Sequence, residues 1–312
     1  MSCLSPEAEK GLNGKIFARN RMKLAIFSHC TIDEIVHNNV LVETPGGPAC
    51  YCGITAHNMK FEIDLHTKAG SDFKFRQELE KKGLYLPELS ISEKPTTRFL
   101  LKISGTERDL YLKTKCESIE FSKSGAEGVI VSPVFDEISE KTLDEIKDYF
   151  DFTLLDPQGY LRRIGNDNKV FLEKTTLDLS KITAIKTDPD EAFYLTGARH
   201  KDAMLALQKK GVKHILYTDK QNITMLTKDR MYDLRIPNME IADTTGVGDI
   251  FCASFACSYL KENDALWAIC FAVGAAQAAL ETKATGIDKI PQSGDTERNA
   301  AYFYNLVKFS QV

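Results

Sequence analysis

Hydrophobic positions change rhythm near residue 115, and the two rhythms predict two kinds of element. Before it, Thr96 to Ile103 and Arg108 to Lys113 alternate apolar and polar side chains like half-exposed strands, with Gly105-Thr106-Glu107 between them as a hairpin turn. Residues 35–43, with Ile35, Val36, Val40, Leu41 and Val42, add a strand pair to what reads as a small β-flap. After it, Val129-Ile130-Val131, Phe152 to Leu155, Ile182 to Ile185 and His214 to Tyr217 read as short buried strands. Between these runs, Leu143, Ile146 and Phe150 repeat at helical spacing. Glu191 to Leu195 predicts a helix that Gly197 ends in a left-handed position, and Asp202 to Lys210 predicts another with Gly211 behind it. Strand and helix alternating in short units imply parallel βαβ crossovers, hence an α/β fold with a doubly wound, mostly parallel sheet flanked by helices. Such sheets hold ligands outside the carboxyl ends of their strands.

Met22 opens the first packed run, Lys-Leu-Ala-Ile-Phe-Ser. Residues 1–21 are expected to be a loosely ordered leader, and 22–312 one α/β domain with lid strands inserted at about 35–43 and 96–113. Composition narrows the partners. The 312 residues carry 40 Lys plus Arg against 44 Asp plus Glu, a net charge of −4, which offers no basic attraction for nucleic acid. Glu7, Glu9 and Lys10 interrupt the N-terminus, so no secretory signal is expected. The longest uncharged run, Ala265 to Leu280, falls short of the ~20 apolar residues that span a bilayer and predicts a buried helix, not a membrane contact. Eight cysteines show neither a Cys-x-x-Cys pair nor a His at zinc-ligand spacing, and read as reduced thiols of a cytoplasmic protein.

The chemistry concentrates in Asp243-Thr244-Thr245-Gly246-Val247-Gly248-Asp249, followed by the apolar stretch Ile250 to Leu260. Two glycines let backbone N–H groups converge, and the start of the following helix adds roughly half a positive charge, so the loop predicts an anion hole. Asp249 at that hole repels an anion but is well placed to take a proton from a hydroxyl attacking a phosphoryl group. The plainer alternative is a helix capped by Asp243 or Thr245, with Asp249 stabilising the helix dipole.

This segment resembles the ATP-binding signature of the phosphofructokinase B, or ribokinase-like, carbohydrate kinase family, usually Asp-Thr-x-Gly-Ala-Gly-Asp; Val247 replaces the usual Ala. The resemblance implies Asp249 as catalytic base, Gly246, Val247 and Gly248 as the anion hole, and Asp243 with Thr245 beside a monovalent cation such as K+. Leu24 to Phe27 running into Asp33 is similar to the family's first strand, whose Asp holds substrate hydroxyls; otherwise Asp33 is a solvated turn residue. Gly46-Gly47, ahead of a helix from Cys50 to Lys60, resembles the signature against which substrate lies, or else forms a simple turn. Lys186-Thr187-Asp188-Pro189-Asp190-Glu191 resembles a Lys-x-Asn-x-x-Glu element, with Asp188 in place of Asn. It implies Lys186 and Asp188 at the nucleotide and Glu191 positioning Mg2+ and its waters; read alone it is an acidic first helical turn.

Thr218 stands where the family touches ATP, but Lys220 replaces the usual Gly there and Val273 replaces an Asn beside the nucleotide. Asp156-Pro157-Gln158-Gly159-Tyr160-Leu161-Arg162-Arg163 resembles an element of archaeal-type inositol, sugar and nucleoside kinases. It implies Gln158 and Arg162 on substrate hydroxyls; the alternative is a turn with a surface Arg pair. Arg98, in the flap strand, is either a pocket or lid contact or part of a solvated face. The whole implies a magnesium- and ATP-dependent kinase acting on a sugar, cyclic polyol or nucleoside hydroxyl, with dimerisation through the exposed flap. A catalytically idle sugar-binding protein on the same scaffold is the rival. A nicotinamide dehydrogenase would need Gly-x-Gly-x-x-Gly after the first strand, and Ser28 to Val36 contains no Gly, which argues against it.

Overall fold

The computed structural model describes residues 21–37, 40–104 and 107–312. All but the last residue of the expected leader, and Gly105-Thr106 of the expected turn, lie outside them. A nine-stranded sheet runs Lys308–Gln311, Arg230–Arg235, Asn222–Thr227, His214–Asp219, Ala184–Thr187, Thr153–Leu155, Gly128–Val131, Lys23–Phe27, Glu62–His66. From Glu62–His66 to His214–Asp219 every neighbouring pair is parallel; the last three strands add on antiparallel.

Both faces of the parallel part are covered, which is why its strands read as unbroken apolar runs. Leu24, Ile26, Ile130 and Leu154 pack on one side with helices Pro48–Asn58, Val247–Glu262, Ala265–Glu281 and Ser293–Leu306. Ala25, Phe27, Val129, Val131 and Leu155 pack on the other with Glu140–Tyr149, Pro189–Thr196 and His200–Lys209. Gly197 ends Pro189–Thr196 at φ 76°, as its position after the apolar stripe predicts.

The antiparallel end escaped the sequence reading for a local reason. Its tight turns carry no glycine: Lys220 and Lys228 take φ 54° and 53° themselves, so the usual punctuation is missing.

A separate four-stranded sheet forms the lid, in the order Val40–Gly46, Thr31–His37, Thr97–Ser104, Glu107–Thr114. Its first hairpin is longer than the 35–43 expectation, since Thr31 pairs with Gly46 and Asp33 with Thr44. Asp33 therefore sits in a strand and not in a turn. Arg98 is a lid contact and not part of a solvated face. Its side chain is only 19% exposed and ion-paired to Glu34 (3.1 Å), Glu43 and Asp72 (3.4 Å), while Lys113 reaches Glu34 at 2.7 Å. These charges brace the lid strands against one another.

The seven described cysteines are free and buried. Among the described residues no helix is long and apolar enough to cross a membrane.

Candidate active site

Two adjacent parallel strands deliver the first charges. Thr153–Leu155 ends at Asp156, 2% exposed, and Ala184–Thr187 carries Lys186. The Lys186 ammonium lies 3.2 Å from Asp156 Oδ2 and 3.5 Å from Glu191 Oε2. Burial works to strip its proton, but the Asp156 and Glu191 carboxylates outweigh that and hold the ammonium well above its ordinary range. Burial raises the Glu191 carboxyl, with Lys186 opposing it.

Asp188 caps a helix, the plainer of its two readings. Its Oδ1 accepts the N–H groups of Asp190 (2.9 Å) and Glu191 (2.8 Å), and Glu191 Oε2 accepts the Asp188 N–H at 2.8 Å. This capping box makes Asp188 the N-cap of helix Pro189–Thr196 and fixes Glu191 beside Lys186.

Helix Val247–Glu262 opens on the glycine loop, with Gly246 at its N-cap in the left-handed region, φ 71°. A Cβ there would stand 2.4 Å from the Tyr51 ring, so only glycine fits. A Cβ on Gly248 would lie 3.6 Å from Lys186 Nζ, which places the ammonium beside the first helical turn. Gly248 belongs to that turn, whose N–H groups have no acceptor within the helix. The Val247 amide points back to Thr244 O at 3.3 Å, and its side chain packs on the core instead of narrowing the loop. Of the three residues expected to form the hole, Val247 thus has its amide already bonded within the loop.

Asp249 occupies the same turn. Burial, reinforced by the Asp156 carboxylate, pushes it up to about 7 against the opposing charges of Lys186 and Arg162. A carboxyl held there is poised for proton transfer near neutrality.

Across from it, burial raises Asp33 to about 6, partly offset by the Thr31 hydroxyl, which donates to Asp33 Oδ1 at 2.7 Å, and by the Arg162 charge. A Cβ on Gly46 would fall 2.1 Å from Asp33 Oδ2, so the bare backbone is what lets the carboxylate lie there. Gly47 is the N-cap of helix Pro48–Asn58. Arg162 is the cation felt by both Asp33 and Asp249; its guanidinium donates to Gln158 Oε1 (2.6 Å) and Val134 O (2.9 Å). Gln158 and Arg162 form one hydrogen-bonded unit, not two independent arms.

The remaining expected residues scatter. Thr218 Oγ1 donates to Thr187 O at 3.5 Å, at the end of strand His214–Asp219. Val273 is fully buried in helix Ala265–Glu281, turned into the core. Asp243 Oδ1 accepts the Thr245 N–H at 2.8 Å, while its Oδ2 accepts from Gly286 N–H (3.0 Å) and pairs with Lys289 (2.9 Å). A free monovalent cation does not fit at Asp243, because an ammonium is already on it.

For Mg2+ a water-mediated site fits: Glu191 and Asp156 offer hard carboxylate oxygens, but both already face the Lys186 ammonium at 3.5 and 3.2 Å, so the ion would meet them through its own waters. Mg2+ is typically held by one or two carboxylates together with substrate phosphates and water.

Asp156 and Lys289 were given no role on sequence grounds. Asp156 had a usable signal, an acidic residue directly after a buried strand; Lys289 had none.

A search of curated proteins finds no match. Among solved structures, a pyrophosphate-dependent ribokinase-family kinase complexed with a pyrophosphate analogue and myo-inositol superposes with TM-score 0.72 at 19% identity, covering 88% of this chain and 99% of that one. Arabidopsis thaliana ribokinase complexed with ribose and ATP gives 0.70 at 16%, covering 90% and 98%. Methanocaldococcus jannaschii nucleoside kinase gives 0.68 at 14%, covering 90% and 98%. At these identities the likeness shows the ribokinase-like fold. The model of the pfkB family of carbohydrate kinases matches residues 21–292, nearly the whole described domain that carries Asp33, Lys186 and Asp249, and the chain belongs to that family of phosphotransferases.

Proposed function

We propose that this protein is an ATP-dependent kinase that phosphorylates a hydroxyl of a sugar or cyclic polyol, with Asp249 as the base. The observation that carries this reading is the placement of Asp249 in the first turn of a glycine-opened helix, beside the Lys186 ammonium and within the charge field of Asp33 and Arg162, which with burial raises its carboxyl.

Asp33, the Gly46-Gly47 backbone and the Gln158–Arg162 unit orient the acceptor, so the reacting hydroxyl meets Asp249 as an intramolecular partner. Asp249 takes the hydroxyl proton. The amides around Gly248 and the Lys186 ammonium face the charge that develops on the transferred group. Magnesium, held at Glu191 and Asp156 through water, would neutralise donor phosphate charge when bound. The lid strands 31–46 and 97–114 close the acceptor side and exclude water, which suppresses hydrolysis of the donor.

The myo-inositol bound by one structural relative and the ribose bound by another support a polyhydroxylated acceptor. A nucleoside acceptor is the second reading, favoured by the nucleoside kinase of the same fold. Val40, Leu41 and Val42 are more than half exposed on the lid's edge strand, which supports a homodimer closed through the lid.

An acceptor panel of aldoses, ketoses, inositols and nucleosides, assayed with Mg2+ and ATP, tests the proposal. One polyol should stand out by its kcat/KM. If every acceptor left turnover at the rate of ATP hydrolysis while a sugar still bound tightly, the protein would be the idle binder instead.

A further inference from the structure

Lys289 sits in the short turn Gly286–Lys289 that follows helix Ala265–Glu281, and its side chain is 0% exposed. Its ammonium donates to the Asp243 carboxylate at 2.9 Å and to the backbone carbonyl of the same residue at 3.1 Å. A carboxylate and a main-chain carbonyl converging on one point form a hard-oxygen donor set suited to a single positive charge. The loop around it is built to keep this geometry: Asp243 Oδ1 accepts the Thr245 N–H at 2.8 Å, and Oδ2 accepts the Gly286 N–H at 3.0 Å. These bonds outweigh the opposing effect of burial and hold the Asp243 carboxyl below its ordinary range, so the pair is ionic at neutral pH.

The position matters because Asp243 is three residues ahead of Gly246, the N-cap of the catalytic helix. Whatever charge rests on Asp243 fixes the loop that presents the Gly248 amides and Asp249.

We propose that Lys289 is a built-in monovalent cation for this loop. Its tethered ammonium stands where the resemblance implied K+, and the protein needs no added alkali ion to order its anion hole. An ammonium group carries the same single charge as K+ and is met by oxygen acceptors of the same kind, through up to three directed hydrogen bonds, but it arrives with the fold and needs no capture from solution. Lys289 touches neither substrate nor the reacting atoms and is a positioning residue. The inference rests on the reading of Asp249 and the 246–248 loop as the phosphoryl-transfer site.

The test measures two things at equal ionic strength in tetramethylammonium, sodium, potassium and ammonium chlorides: melting temperature without substrates, and turnover with Mg2+, ATP and the best acceptor of the panel. The wild type should melt at one temperature and turn over at one rate, within about twofold, in all four salts. Lys289→Ala opens the oxygen donors to the cavity of about 900 Å³ that Asp243 lines between the loop and the lid. In tetramethylammonium it should melt lower and lose roughly 10-fold to 100-fold in kcat. Potassium or ammonium should restore both saturably, as binding to the folded state alone requires. Where the alanine variant is insoluble, Lys289→Gln, which keeps the length and loses the charge, takes its place.

A wild type that potassium activates or stabilises would overturn the proposal. So would a variant whose melting temperature ignores all four cations, which would leave Lys289 as ordinary packing. The melting arm does not depend on catalysis, so it reads the cation role even if the acceptor panel fails.

Discussion

The two ends of the cleft are built on opposite terms. At the end proposed for the acceptor and the transfer, Asp33, Asp156, Lys186, Arg162, Glu191 and Asp249 are charged groups crowded together with little access to water, and burial has moved the Asp33, Glu191 and Asp249 carboxyls up toward neutral pH. At the end expected to face the nucleotide base, Thr218 spends its hydroxyl on a neighbouring strand, Lys220 only turns a hairpin, and Val273 is core. The contrast teaches where selection by chemistry is strict. Proton transfer and charge stabilisation need preorganised, desolvated groups, whereas a base is held by any shaped surface.

The sharpest way to break this comparison is Asp249→Asn, which keeps size and loses the base. Turnover on the preferred acceptor should fall ~100-fold to 10,000-fold with the fold intact. The same change should make the protein more stable above neutrality. Burial raises the folded-state carboxyl above its unfolded value, so the ionised form weakens the fold as pH rises through about 7. Removing it should return about 1–3 kcal/mol at pH 8, less at pH 5 and little below about pH 4, read by chemical denaturation. Near wild-type turnover in the variant would dissolve the distinction between the two ends.

Arg162→Ala comes next. It removes the charge shared by Asp33 and Asp249 and releases Gln158, so kcat/KM for the acceptor should drop roughly 10-fold to 100-fold while the KM for ATP stays put. Arg162→Lys should not restore it, because a point charge cannot hold Gln158 Oε1 and Val134 O together. Equal losses in both KM values would mean that Arg162 serves the donor as well.

The pH profile sharpens the comparison within the acceptor end. With Asp249 titrating near 7 in the free enzyme, kcat/KM for the acceptor should be flat above that and fall about tenfold per pH unit below it. A profile flat to pH 5 would contradict the buried base.

The smallest effect belongs to the other end. ATP, GTP and ITP at equal concentration should support similar rates, because no side chain identified there reads the base. An ATP preference beyond ~100-fold, equal to about 2.7 kcal/mol, would show base recognition through other groups.

Residue by residue, legibility followed locality. The strands at 128–131 and 153–155 and the helix at 247–262 were readable because each announces itself within a dozen residues, by an apolar run or a glycine loop. The antiparallel hairpin was not readable, because Lys220 adopts a glycine-like φ that no propensity foretells. Asp188 was ambiguous for a related reason. An acidic residue before a proline-opened helix caps its own helix as readily as it meets a ligand, and only the Glu191 reciprocal bond decides.

By itself the sequence determined the alternation of elements, hence the parallel sheet, and the glycine loop with Asp249, hence the class of chemistry. Both follow from periodicity and backbone freedom, which are local properties of the chain. Tertiary structure alone decided which charges share a space: Asp156 with Lys186, Arg162 between two carboxyls, and Lys289 on Asp243, 46 residues away. Pairings of that kind depend on how distant strands end beside one another, and a charge shows its partner only once burial has made being alone too costly.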